Sequence, residues 1–471
     1  MKCTIRLIYF AVFLLPFTGR ADIFHYANVL AGDRAMGLGG AFTAISDDAS
    51  GVIYNPAGLA FALSNDISAS ANAFYTKETN YKKTLGDNDF LETAGGSVAP
   101  FFGSMAKLDH LVEGLSFGFG IQTLDSELKN QNDLVKDAYF QSGKYNEGPK
   151  DSPELEACYT QKEDQYIKKL YRSVNARAST QSFGAALGYR LTGSLAVGLG
   201  LNYLQIDELV QEYQANDINK GDCSGGRTSP QSVTTSVRQN IRTHLKAGAL
   251  VPNFGVQYSM NSGFSFGLSI KPSLMIADSY EYTSEVTSFI QLRENNTLTA
   301  FQDAGNTDIS IEKPLGALPI ETRFGMAWFA SQRLLVSMDV SYFSESKSGN
   351  TTKQNANGEV VANIGNIFMR EAVTNFALGT EYYVTPSYPL RLGFFTNNDA
   401  RPMLEKAAGS RDSVNYNGIS AFITKVTPND QVALGTIIQV GEGKAQKTGI
   451  AATQDVEAYS AVLAFSASHN F

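Results

Sequence analysis

The chain is poor in cysteine, tryptophan, charge and long apolar runs. Of its 471 residues, three are Cys, one is Trp and four are His. No Cys-x-x-Cys, paired-His metal motif, Walker loop or Gly-x-Ser-x-Gly occurs, so neither a metal centre nor a catalytic constellation is expected. The four histidines, His25, His110, His244 and His469, are too scattered for one. The glycines at 37–40 are not followed by the Lys-Ser/Thr of a phosphate loop. Charged residues make up only 18% of the chain, against about 25% in soluble proteins. A net charge of −8 excludes a general nucleic-acid binder. Past the first twenty residues no apolar run nears the ~18 residues of a spanning helix. With 43% hydrophobic residues the chain is also not disordered.

What is present is glycine (42 residues), phenylalanine (29) and tyrosine (22). With a mean hydropathy of −0.15, that composition suits a transmembrane β-barrel, whose strands alternate apolar and polar. Lys2 and Arg6, the apolar stretch 7–15 and the small residues Gly19 and Ala21 predict a secretory signal over 1–21. Cys3 leaves with it. Cys158 and Cys223 remain, and in an oxidising compartment they are expected to pair, joining the second and third external loops.

Residues 22–65 are rich in Gly and close on Asn55-Pro56-Ala57-Gly58, a compact, turn-rich segment. Over 66–471 the pattern has a period of two. Phe183, Ala185, Leu187, Tyr189 and Leu191 alternate with Ser182, Gly184, Ala186, Gly188 and Arg190, and the same holds near 115–122, 264–271 and 336–342. In a soluble sandwich the polar face would meet water, and glycine there would weaken the strands. Here that face is filled with Gly, Ala and Ser, as in a crowded barrel interior. Short turns alternate with long polar connections near 79–92, 125–178, 214–232, 293–307, 347–370, 401–413 and 444–452. Six turns and seven loops give an all-β antiparallel barrel of about fourteen strands. Asp164–Tyr171 reads as a short amphipathic helix within the longest loop, whose aromatics form either a capture groove or a packed cap.

The run from Ala31 to Phe42, with Gly39 and Gly40, then Asp47-Asp48-Ala49, then Asn55-Pro56-Ala57, resembles the FadL/TodX family of outer-membrane transporters for long-chain fatty acids and hydrophobic compounds. Phe254-Gly255-Val256 and the stretch from Pro389 to Asn398-Asp399 are similar to its internal strands. The resemblance implies a monomer in a bacterial outer membrane, contacting lipid and lipopolysaccharide. It implies an N-terminal hatch, here 22–65, inside the lumen. It also implies uptake of a hydrophobic small molecule, first of all a long-chain fatty acid, into an apolar pocket with sideways release beside the third strand. Gly118 and Gly120 either kink that strand or make room for the hatch. No cofactor is expected.

Lumen charges are expected at Arg190, Lys271, Glu321, Arg323, Asp339, Arg391 and Lys425. Lys271 and Arg323 are the candidates for binding a ligand carboxylate. Alternatively, these charges form an ion-pair network with Asp47, Asp48, Glu321 and Asp339 that holds the hatch. For Arg190, Arg391 and Lys425, close to the short turns, anchoring of the hatch is expected. The competing function is a barrel of this kind serving protein secretion or interaction, without small-molecule cargo. A continuous pocket above the hatch would distinguish the two.

Overall fold

A computed structural model of the chain describes residues 23–85, 88–140, 165–223, 231–294, 297–347, 352–354, 360–363, 368–402, 411–446 and 453–471. The signal segment and Cys158 lie outside the described residues, and so does the proposed Cys158–Cys223 pairing. In chain order the strands are β1 (Asp66–Leu85), β2 (Asn88–Lys107), β3 (Leu115–Phe140), β4 (Gln165–Arg190), β5 (Leu195–Cys223) and β6 (Gln231–Ser259). Next come β7 (Phe264–Lys271), β8 (Leu274–Glu294), β9 (Thr297–Glu312), β10 (Glu321–Ser331) and β11 (Leu334–Phe343). A small separate hairpin, β12 (Thr352–Gln354) with β13 (Val360–Asn363), precedes β14 (Val373–Thr385) and β15 (Tyr388–Asn397). The chain closes with β16 (Arg411–Val426), β17 (Asp430–Gln446) and β18 (Gln454–Asn470).

Every pairing is antiparallel, and β1 pairs with β18, so the sheet closes. Both β7 and β8 pair with β6 and form one interrupted strand. Their neighbours β9 and β10 form the next, which makes a closed barrel of fourteen strands. Alternation sends Phe183, Leu187, Leu199, Phe254, Leu378, Leu392, Ile419 and Leu463 outward, each more than a third exposed. This apolar belt is what a lipid-facing wall needs.

The strands run much further than the alternation showed. β5 and β6 have 29 residues each, roughly 95 Å of strand, whereas about 9–11 residues cross a membrane. The connection expected over 125–178 is largely ladder, pairing up to Phe140↔Gln165. The helix expected over 164–171 is corrected likewise, because 165–171 belong to β4. Above the membrane both faces of a strand meet polar surroundings, so a paired strand there no longer alternates and looks like a loop in sequence.

The interior holds residues 23–65, with helices α1 (Asp33–Gly37) and α2 (Gly51–Tyr54) and a 3₁₀ turn at Pro56–Phe61. Its side chains pack with inward residues of the strands: Leu38 and Phe42 with Ala327 and Leu335, and Val52 and Leu59 with Phe101 and Met105. In the lower part of the barrel the core therefore lies between this segment and the wall.

The wall is interrupted beside β3. The β2–β3 ladder stops at Phe101↔Gln122, and a bulge follows in the β3–β4 register between Thr123 and Asp125. Above it, side chains span β2 and β3: Thr123 Oγ1 donates to Ala99 O (3.0 Å), Gln131 Nε2 to Leu91 O (2.7 Å), and Thr93 N to Gln131 Oε1 (3.0 Å). Gly118 and Gly120 do not make this break. A Cβ at Gly118 would meet Val52 and Leu59, and one at Gly120 the Phe101 ring, so both glycines give clearance to the interior.

Candidate functional site

The N-terminal segment seats on glycines of the wall. Pro56-Ala57 lies so close to Gly198 and Gly255 that a Cβ at either would run into its backbone or the Asn55 side chain. Asn55, fully buried, donates to Thr43 O (2.9 Å) and Val256 O (3.1 Å) and accepts from Ala57 N (3.1 Å). Only an amide can both donate and accept in this way. Gly39 and Gly40 adopt φ of 64° and 86°, a region that favours glycine, and Gly39 lies backbone to backbone against Gly393.

Ion pairs fasten the same segment. Arg391, 1% exposed, reaches Asp33 (3.1 Å) and Glu381 (2.6 Å). Glu381 also pairs with Arg34 (3.3 Å), which in turn reaches Asp47 (2.8 Å). Asp48 accepts from Ser50 N (2.8 Å) and Oγ (2.5 Å), and burial, more than the nearby Asp47 charge, pushes its carboxyl up to about 6. Asp339 Oδ2 accepts from Phe42 N, Thr43 N and Thr43 Oγ1 at 2.6–3.2 Å. Arg190 donates to Ala60 O, and its guanidinium lies 5.2 Å from the Phe61 ring centroid. Lys425 differs from expectation. It is exposed and alternates with buried Phe422 and Thr424, so it faces outward, where its long stem can lie along the wall.

Above this seat is a cavity of about 230 Å³. Its apolar lining includes Leu30, Ile53, Leu204, Ile206, Phe343 and Phe395, and Gly39 and Gly40 contribute to it from the N-terminal segment. Lys271, Glu321 and Arg323 also line it, at the paired ends of β7 and β10. Lys271 Nζ lies 3.0 Å from Glu321 Oε2, and Arg323 2.7 Å from Glu321 Oε1. Thus two cations share one carboxylate, while Asp339 is engaged with the N-terminal segment. The Arg323 guanidinium stands 5.3 Å from the centroid of the Tyr54 ring, whose phenol burial pushes up to about 12. The two candidate cations of the sequence are therefore brought together, with their tips at one cavity wall.

Sequence reasoning missed the start of the segment. Ile23, His25, Tyr26 and Ala27 line the cavity too. Tyr26 N and Ala27 N donate to Asn397 Oδ1 (3.1 and 3.0 Å), and Tyr26 stacks on Phe343 at 3.9 Å. Phe24 lies near the guanidinium groups of Arg370 and Arg401. The aromatic run Phe24-His25-Tyr26 was the available signal. It was uninterpretable without its partners, some 370 residues away. Among the described residues no group of three or more His, Cys, Asp or Glu could hold a metal ion.

No family model matches the chain, and no curated protein matches it. Solved structures do. The chain superposes on a Pseudomonas aeruginosa FadL homologue with a TM-score of 0.53 at 10% identity, covering 94% of this chain and 99% of that one. It superposes on the P. putida toluene transporter TodX with a TM-score of 0.51 at 13% identity, covering 94% and 98%. At such identities the likeness is one of fold.

Proposed function

We propose, on the premise that this chain has the fold of the FadL and TodX barrels, that it is an outer-membrane uptake channel for hydrophobic small molecules. The observation that carries the reading is the largely apolar cavity standing above a tightly seated N-terminal segment. An aqueous pore offers an apolar solute nothing, because each methylene in water costs about 0.8 kcal/mol. A cavity above a plug offers it a binding place. In this reading residues 22–65 are the hatch, and 66–471 the barrel.

The cargo we favour has an anionic head and an apolar tail, as in a long-chain fatty acid. Lys271 and Arg323 reach the cavity wall with more N–H donors than Glu321 can accept from, and a carboxylate can take hydrogen bonds from them. The volume, about 230 Å³, lies just under the ~300–1,000 Å³ of pockets for drug-sized ligands. It suits the head and first methylenes of a long acid, or a whole compact molecule. Release would be sideways, since Gln122, Leu124 and Asp125 of β3 line the cavity where the β2–β3 ladder has stopped. A barrel without cargo would be expected to have a lumen packed shut at this level, so the cavity speaks for the transport reading over secretion. Mass spectrometry of hydrophobic molecules co-purifying with the protein tests it. An amphiphile displaced by added fatty acid is the expected result, and a protein that neither carries nor binds one refutes the reading.

A further inference from the structure

The wall has a second interruption, on the far side of the cavity from the cargo's proposed exit. The β7–β10 ladder ends at Lys271↔Glu321, and the β8–β9 ladder resumes only at Ser279↔Glu312. Between them, residues 272–278 face residues 313–320. The sequence explains the gap. Pro272 on one side and Pro314 and Pro319 on the other have no N–H to give to a ladder. Lys313 and Gly316 turn through φ of 55° and 66°. Across the interruption run Lys313 N to Asp278 O (2.9 Å), Leu315 N to Asp278 Oδ2 (2.7 Å) and Ser273 Oγ to Leu318 O (2.9 Å).

This strip of wall has lipid on one side and the cavity on the other. Ser273, Leu318 and Pro319 line the cavity beside Lys271 and Glu321. Leu274, Ile276 and Ile320, in the same strip, are 65%, 58% and 45% exposed. The eight residues of β7 rise from the short turn below, roughly 26 Å of strand. With the strands tilted by about 40° this is a rise of roughly 20 Å, inside the outer part of an apolar band about 25 Å tall. At membrane depth, backbone outside a ladder is tolerated where it lines a cavity, which is the arrangement here.

We propose that this proline-bounded strip is a side port through which a lipid-dissolved amphiphile passes directly between the outer leaflet and the cavity, its head meeting Lys271 and Arg323 at the inner lip. The port is distinct from the interruption beside β3 and rests on the reading of the cavity as a ligand site. An apolar molecule held in the outer leaflet then reaches the cavity without crossing water.

The test uses the full barrel in phosphatidylcholine vesicles, with Cys158 and Cys223 replaced by Ser and cis-parinaric acid as the fluorescent probe. Ser273→Cys with Leu318→Cys places a disulfide across the port, and Thr93→Cys with Gln131→Cys places one across the β2–β3 interruption. Closing the port should slow exchange of probe between membrane and cavity by about tenfold relative to the same variant kept reduced, the comparison that separates access from any change in fit. Reductant should restore the rate, which shows the barrel is intact. Leu318→Trp, which fills the port without oxidation, should slow exchange likewise. Exchange unaltered by both the port disulfide and Leu318→Trp, with binding intact, overturns the port. Absence of saturable probe binding in the parent barrel overturns the ligand-site reading itself, and the port with it.

Discussion

Two clusters of charge inside the barrel use the same side-chain types to different ends. In the lower cluster Arg391 and Arg34 meet three carboxylates, those of Asp33, Glu381 and Asp47. Three of the four links join the N-terminal segment to a strand or to itself, the fourth, Arg391 to Glu381, ties β15 to β14, and the Arg391 side chain is 1% exposed. In the upper cluster Lys271 and Arg323 share Glu321, all three come from two paired strands, and their side chains keep 11–16% exposure toward the cavity. A surplus of acids over bases spread across two pieces of chain fastens them together. Cations paired within the wall at a cavity do not fasten the segment, and in the proposed reading their remaining N–H donors meet a guest. The number of lumen cations is therefore a poor guide to role, and what matters is whether the partner carboxylates belong to the wall or to the segment inside it.

The sharpest way to break this comparison is to empty both clusters. Arg391→Ala removes the ion-pair partner of buried Asp33 and leaves Glu381 to Arg34 alone, and losing one partner of a buried pair costs about 3–5 kcal/mol. Urea unfolding, with protease access to residues 23–65 as a second readout, should show the largest loss among these variants. Gly198→Leu should come next, because its side chain would run into the backbone of Pro56-Ala57, and overpacking of this kind costs about 1–3 kcal/mol or more. Cysteines placed at Ala41 or Ser46 should then label faster with bulky maleimides than in the parent. Asn55→Asp removes two donated hydrogen bonds to buried carbonyls and should cost about 1–3 kcal/mol in the same assay. Lys271→Ala should behave differently, with little loss of stability. It should weaken binding of a carboxylic acid by about 1.5–3 kcal/mol, the worth of a hydrogen bond to a charged group, and leave a neutral hydrocarbon almost unaffected. If it weakens both equally, Lys271 supports the wall, and the contrast between the two clusters collapses.

How far the sequence could be read follows from the same contrast. Alternation identified the strands wherever one face meets lipid, as at Phe183–Leu191, and it placed Lys271 and Arg323 on the inward face by parity alone. It failed where both faces are polar, so β3 and β4 beyond the membrane looked like a loop. It also failed at Lys425, where a charge near the membrane edge lies on the outer face. The glycines of the polar face were legible as crowding. Their pairing with particular residues of the N-terminal segment, such as Gly393 with Gly39, was not, because contacts across some 350 residues leave no local periodicity. The sharing of Glu321 by two cations was equally hidden. It depends on the register Lys271↔Glu321, which is set by the β7–β10 ladder rather than by either strand's own sequence.

The central claim, that the cavity holds the apolar part of an amphiphile with its head at the upper cluster, is tested most directly by titrating the purified barrel with carboxylic acids of increasing chain length and with the matching alcohols. Each methylene buried should add about 0.8 kcal/mol, close to a fourfold gain in affinity, until the cavity is filled. At every length the acid should bind more tightly than the alcohol by a constant factor. Affinities independent of chain length, for acids and alcohols alike, would contradict the account.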